Sequence, residues 1–301
     1  MSTISWTDIT CNPIHLVRPD GSHGGHWCQK VSPGCTNCYS ETQNQSNYFK
    51  FASKLRFTGE VPENLIFDEE VMKKLIGMRS KAGRKPSKKK VFLCSMTDLF
   101  GEWVKEEWID LAFAYMAIAN QHTFQILTKR AERMAKYFKS GARQRIRIAV
   151  VDLGRQLNLK PETYEPYETF DFEWPLANVW LGTSVENQKA ADDRIPWLIK
   201  TPAAVRFLSC EPLLQKVILK AEYSQNLNWV IIGGESGSGA RPCHLDWIQS
   251  IVQQCATANL AVFVKQLGSN PVDNNYVIKP KDRKGGEISE FPEDLQIRQF
   301  P

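Results

Sequence analysis

No stretch of this chain approaches the roughly eighteen uninterrupted apolar residues that a membrane-spanning helix needs, so no membrane association is expected. Its opening, Met1-Ser2-Thr3-Ile4-Ser5-Trp6, has neither a basic segment nor a long apolar one after it, and nothing there marks the chain for export. The cytoplasm is therefore the expected location, and the eight cysteines are expected as reduced thiols rather than disulfides. Neither sign of charge dominates, since the formal net charge is only +5. Low charge and ordinary apolar content exclude a disordered chain, and 301 residues suffice for a sizeable core.

Three of the thiols are concentrated. Trp27-Cys28-Gln29-Lys30-Val31-Ser32-Pro33-Gly34-Cys35-Thr36-Asn37-Cys38-Tyr39 spaces them as Cys28-x6-Cys35-x2-Cys38, and Pro33-Gly34 forces a turn that lets the sulfurs converge. Converging thiolates suit Zn²⁺ or an iron–sulfur cluster, both soft enough to prefer sulfur. A structural zinc site normally has four protein ligands, whereas a cluster held by three leaves one iron open. No further cysteine lies close on the C-terminal side of the loop. A zinc staple completed by His23, His26 or Cys11 is the alternative, although the glycine-rich residues 18–26 otherwise make both histidines expected exposed polar groups.

Residues 4–9 alternate like a short strand that leads towards the loop, residues 39–55 form an amphipathic helix with Tyr48, Phe49, Ala52 and Leu55 on its apolar face, and residues 68–78 form a second, acidic at its start and basic at its end. Residues 79–90 then hold seven basic and no acidic side chains, a solvated linker or a grip for phosphates. From there short apolar runs alternate with helical stretches. The runs are 91–94, 123–127, 179–182, 204–208, 229–232 and 261–264, and the helices include 104–120, 130–139, 187–200 and 245–259. About seven β/α steps favour one α/β domain over residues 1–301, a complete or partial (β/α) barrel, with a doubly wound open sheet as the alternative. Residues 141–175 interrupt the rhythm as an insertion or lid, and 268–301 form a C-terminal extension.

Reacting groups of (β/α) barrels sit where strands end, and here each apolar run ends in polar or charged residues. Asp98, Lys129 with Arg130, Glu186, Glu211, Glu235 and Lys265 are thereby expected to line one cavity beside the cysteine loop. The run from Gly233-Gly234-Glu235 to Arg241 is the most specialised junction: its glycines let backbone amides approach a ligand, and Arg241 can meet a carboxylate or phosphate. It matches neither the dinucleotide fingerprint nor a P-loop, and a tight structural turn is its other reading. Cys94, Cys210, Cys243 and Cys255 are expected as buried apolar thiols.

Together the loop Lys30-Val31-Ser32-Pro33-Gly34-Cys35-x2-Cys38-Tyr39, Ser95-Met96-Thr97-Asp98-Leu99-Phe100, Leu127-Thr128-Lys129-Arg130, Trp180-Leu181-Gly182-Thr183-Ser184-Val185-Glu186, Arg206-Phe207-Leu208-Ser209-Cys210-Glu211-Pro212-Leu213 and Gly233-Gly234-Glu235-Ser236-Gly237 resemble the phage Gp37/Gp68 family over essentially the whole chain. That family is similar to radical S-adenosylmethionine (SAM) enzymes in setting a three-cysteine loop ahead of a partial barrel. The resemblance implies that Cys28, Cys35 and Cys38 ligate a [4Fe–4S] cluster whose fourth iron is chelated by the amino and carboxylate groups of SAM, and that the reduced cluster cleaves SAM to a 5′-deoxyadenosyl radical that abstracts hydrogen from a substrate. It also makes Asp98 or Glu235 candidates for the SAM amino group and Arg241 for its carboxylate. The usual radical SAM loop has three residues in its first gap rather than six, and its Gly-Gly-Glu element follows an early strand rather than a late one.

The leading expectation is thus a radical SAM enzyme acting on a nucleic acid or nucleotide, with the need for a partner protein left open. The alternatives are a zinc-containing nucleic-acid-binding protein, or a metal-dependent nuclease or hydrolase using Asp98, Glu186, Glu211 and Glu235 around Mg²⁺.

Overall fold

A computed structural model describes residues 4–46, 53–78 and 87–301. Seven parallel strands, β1 (Ile9–Cys11), β2 (Lys90–Leu93), β3 (Thr123–Thr128), β4 (Val179–Ser184), β5 (Val205–Cys210), β6 (Trp229–Gly233) and β7 (Ala261–Gln266), hydrogen-bond in the order of the sequence. A doubly wound sheet reverses its strand order partway, and this one never does. The fold is accordingly α/β, of the partial (β/α)-barrel class. Each apolar run of the sequence is one of these strands. All five residues of β6 are buried, as a strand covered on both faces requires. The opening strand sits later than the alternation suggested, at Ile9–Cys11 rather than 4–9.

The chain divides into two compact units: Met1–Val31 with Cys38–Trp180 and Pro202–Ala204, and Ser32–Asn37 with Leu181–Thr201 and Val205–Pro301. In the first, β1 pairs with β2 through Ile9 and Val91, and β2 with β3 through Lys90 and Thr123. Helix α1 (Tyr39–Gln45) is shorter than expected, and residues 47–52 of the expected helix lie outside the described residues, as do 79–86 of the basic run. Helix α2 (Glu69–Ile76) begins at Asp68, whose Oδ1 accepts the Glu70 amide at 2.9 Å, and the acidic first turn and basic last turn suit the helix dipole. Helices α3 (Glu106–Ile118), α4 (Ala131–Lys139) and α5 (Ala142–Gln156) follow. The insertion is packed rather than loose: α5 buries Ile146, Val150 and Leu153, and its Arg145 pairs with Glu106 and Asp110 of α3 at 3.2 and 3.0 Å.

One correction concerns the histidines. The short strand Ile14–Leu16 pairs with Leu65–Phe67, and the Gly24 amide bonds back to Leu16, so the glycine-rich loop folds onto the hairpin. His23 then stacks on His15 with ring centroids 4.2 Å apart, and His26 meets His23 edge-on at 4.9 Å. His26 is only 5% exposed and His23 half-buried, so neither is the exposed polar residue the loop composition suggested. Burial, with the neighbouring imidazoles, pushes both rings down to about 4.

In the second unit β6 pairs with β5 and β7, flanked by α6 (Gln188–Ile199), capped by Asn187, and α7 (Leu245–Thr257). The C-terminal extension covers the outer edge of β7: the Val264 amide donates to Ile297, the Gln299 amide to Val262, and Phe263 bridges Arg298. That pairing leaves the edge strand no row of open amides.

Candidate functional site: the cysteine loop and the strand ends

In the first unit, the peptide carrying Cys28 is tied on both sides to strand-end residues. Thr97 Oγ1 donates to the Trp27 carbonyl at 2.6 Å, and Arg130 Nη2 donates to the Gln29 carbonyl at 3.2 Å. Arg130 is itself buried and fully used. Its Nη1 donates to Asp98 at 3.1 Å, its Nε to Glu102 at 2.6 Å, and its guanidinium lies over the Trp103 ring at 4.6 Å. Asp98 also accepts from Thr128 Oγ1 at 2.7 Å and from the Lys129 and Phe100 amides at 3.0 Å each. Burial opposes the Arg130 charge, but Asp98, Glu102 and a Cys28 thiolate outweigh it and raise its pKa.

Cys38 is the residue before α1. The following Tyr39 hydroxyl donates to the Ser95 carbonyl, and Ser40 Oγ to the Met96 carbonyl at 2.6 Å, so the segment after β2 fixes the start of the helix. Cys94 opens that segment in the left-handed region at φ 58°, an uncommon conformation for a residue with a side chain. Lys30 pairs with Glu41 of α1 at 2.5 Å.

In the second unit, Cys35 closes the single 3₁₀ turn Pro33–Cys35. Arg241 Nη1 donates to the Pro33 carbonyl at 2.8 Å, while its Nε and Nη2 fork onto Glu235. Asn37 Nδ2 donates to the same Glu235 at 2.8 Å. Burial works against the Glu235 charge, yet the bonds from Arg241 and Asn37 hold its carboxyl below the usual range. Gly34 packs so closely that a Cβ there would stand 3.2 Å from the Glu186 carboxyl carbon. Glu186 is wholly buried and takes both ends of Arg194, at 2.8 and 3.3 Å. Glu211 faces Lys265 Nζ at 2.7 Å, but its buried Oε1 receives no aligned hydrogen bond among the described residues.

The strand-end charges thus fall into distinct groups. Asp98, Glu186 and Glu235 are each neutralised by an arginine, and Arg130 and Arg241 reach from those carboxylates to carbonyls beside Cys28 and Cys35. Glu211 and Lys265 form a lysine pair, and no carboxylate among the described residues pairs with the half-buried Lys129 ammonium. The glycines of the sixth junction approach the protein itself: a Cβ on Gly233 would meet Glu211 Oε1 at 2.8 Å, and one on Gly234 would meet the Leu267 carbonyl at 2.2 Å.

The remaining thiols differ from the three of the loop. Cys11, Cys94, Cys210, Cys243 and Cys255 are all buried, whereas Cys28, Cys35 and Cys38 are partly exposed. Burial pushes Cys11, Cys243 and Cys255 up to about 12 and raises Cys94 and Cys210 as well. Cys11 Sγ contacts Met72 Sδ at 3.6 Å inside the core. His26 Nδ1 is bonded to the Ile14 carbonyl at 3.0 Å, and His23 Nδ1 accepts the Gly25 amide at 3.0 Å. Among the described residues, no three or more His, Cys, Asp or Glu side chains stand gathered as a metal-holding group.

A family model described as a protein of unknown function, DUF5131, matches residues 1–292. The chain belongs to the DUF5131 family. No curated protein and no solved structure matches it. In this DUF5131 protein the sequence pointed to the strand-end acids but missed their surroundings: Arg194 and Asn37, which bind Glu186 and Glu235, Glu102 and Trp103, which hold Arg130, and Thr97, which holds the Trp27 carbonyl. Arg194 alone had a local signal, lying eight residues after Glu186, two turns into a helix that begins just beyond that acid.

Proposed function

We propose that this protein is an iron–sulfur enzyme of the radical SAM type that modifies or repairs a nucleic-acid or nucleotide substrate. The observation that carries the reading is the contrast among its thiols: three partly exposed on one short loop with their neighbours anchored, five buried with raised pKa values. Soft donors of that number suit an iron–sulfur cluster with one open iron. The resemblance of the loop and strand-end motifs to the phage Gp37/Gp68 family supports the same choice.

When bound, the cluster and SAM together supply one-electron chemistry that removes a hydrogen atom from the substrate. The chain's own residues do the positioning. Arg130 and Thr97 fix the peptide on either side of Cys28. Arg241 and Asn37, both bound to Glu235, do the same for the turn that bears Cys35. In this reading Asp98, Glu235 and Arg241 position the loop rather than hold SAM, because their charged ends already satisfy one another. The Lys129 ammonium takes an anionic group of SAM or substrate, and the Lys265 ammonium, beside Glu211, donates a hydrogen bond to a polar group of the substrate.

A closed zinc site completed by Cys11 is disfavoured by the burial of that thiol against Met72. A Mg²⁺ hydrolase would have to displace an arginine or lysine from each of its four carboxylates. The test is anaerobic purification with iron, sulfide and zinc analysis, repeated on Cys35→Ala. About four irons per chain, lost in the variant, are expected; one firmly held zinc and no iron would sink the reading.

A further inference from the structure

At the far end of the same strands the first unit carries a second polar feature. A cleft of about 430 Å³ opens where β2 and β3 begin, lined by Lys88, Lys89, Lys90, Gln121, His122 and Asn178 among others. Asp8 is the one acid among its lining residues. That acid is already spent: its Oδ2 accepts the Lys90 amide at 2.7 Å, and its other oxygen lies 3.9 Å from the Lys90 ammonium. No carboxylate among the described residues pairs with Lys88 or Lys89, which are exposed and half-buried respectively.

The wall behind the lysines is fixed. His122 Nε2 is bonded to the Leu75 carbonyl at 3.0 Å, and its Nδ1 accepts the Lys89 amide at 3.2 Å, which sets the ring as the neutral Nε2–H tautomer. Burial and the Lys89 charge hold its pKa below the usual value. Asn178 Nδ2 donates to the Met116 and His122 carbonyls at 3.0 and 3.1 Å, and Gln121 Nε2 donates to the Leu75 carbonyl at 3.1 Å. The amides brace the wall, and the ammonium groups of Lys88 and Lys89 are left for a ligand.

We infer that this cleft binds phosphate, as the backbone of a nucleic-acid strand. The chemistry that fits the adjacent Lys88 and Lys89 ammonium groups, beside a single acid already engaged by Lys90, is a row of phosphates, and it calls for no base-specific donor. The cleft lies at the N-terminal end of β2, roughly 13 Å of strand from the Cys94–Asp98 segment at its other end. A ligand that engages both ends of these strands is therefore a polymer rather than a mononucleotide. The inference rests on the proposed function only for the choice of a nucleic-acid ligand, since it needs neither metal nor SAM.

The experiment is fluorescence-anisotropy titration of the full chain with a labelled short single-stranded oligonucleotide at several salt concentrations, with a mononucleotide and inorganic phosphate as competitors. Lys88→Glu/Lys89→Glu is compared with Lys160→Glu/Lys281→Glu, which makes the same charge change at two exposed lysines outside the cleft. The cleft variant is expected to bind about tenfold or more weakly, with the salt slope reduced by about 1.4, while the control stays within about threefold of the parent. Competition by phosphate and mononucleotide equal to that by unlabelled oligonucleotide would assign the cleft to a free phosphate ligand and overturn the nucleic-acid choice. Equal binding by the two variants, or none by the parent, would overturn the site. Iron content measured on the same preparations separates either failure from failure of the iron–sulfur reading.

Discussion

Arg130 spans the distance from Asp98 to the carbonyl of Gln29, donating to both at 3.1 and 3.2 Å from within the protein. A strand-end carboxylate and the peptide next to Cys28 are thereby joined through one guanidinium. Arg130→Met should leave Asp98 buried without its cation and cost about 3–5 kcal/mol of stability. Arg130→Lys should keep most of that stability yet lose the Gln29 bond, because an ammonium lacks the planar fork. Urea denaturation and the rate of iron loss to a chelator check the pair: Lys is expected to release iron faster at near-parental stability.

Acid should loosen the hairpin that leads into the cysteine loop. His23 and His26 sit at about 4 when folded against an ordinary 6.5. Between those values the unfolded chain binds protons that the folded chain does not, so stability falls as pH drops from about 6.5 towards 4. For the buried His26, held at about 4, the loss approaches about 3 kcal/mol. Thermal midpoints measured across that range should decline, and His26→Asn should flatten the slope.

Thiol chemistry should divide the cysteines three against five. In metal-free native protein, iodoacetamide is expected to modify Cys28, Cys35 and Cys38 within minutes and to leave the five buried thiols intact until denaturant is added. Peptide mass spectrometry reads this directly. Early labelling of Cys11 would contradict its place against Met72.

The sheet was legible because strands buried on both faces must be written as unbroken apolar runs, as Trp229-Val230-Ile231-Ile232 is. The position of β1 was not, since its three residues give too short a pattern to fix a register. The hairpin of Ile14–Leu16 with Leu65–Phe67 joins segments about fifty residues apart, so the stacking of His15 on His23 left no local trace. Residue type and position after a strand singled out Asp98, Glu186, Glu211, Glu235 and Lys265 as candidates, but not their pairing. Whether a strand-end acid faces a ligand or an arginine depends on long-range partners: Arg130 lies 32 residues from Asp98, and Asn37 lies 198 residues from Glu235.

The central claim is that the cysteine loop supports SAM-dependent one-electron chemistry. Its most direct test is dithionite reduction of anaerobically reconstituted protein in the presence of SAM, with 5′-deoxyadenosine quantified by chromatography in the parent and in Cys28→Ala, Cys35→Ala and Cys38→Ala. The account predicts 5′-deoxyadenosine from the parent and none from any of the three variants. A parent that carries iron and sulfide yet leaves SAM intact, or cleavage that persists without one of the thiols, would contradict it.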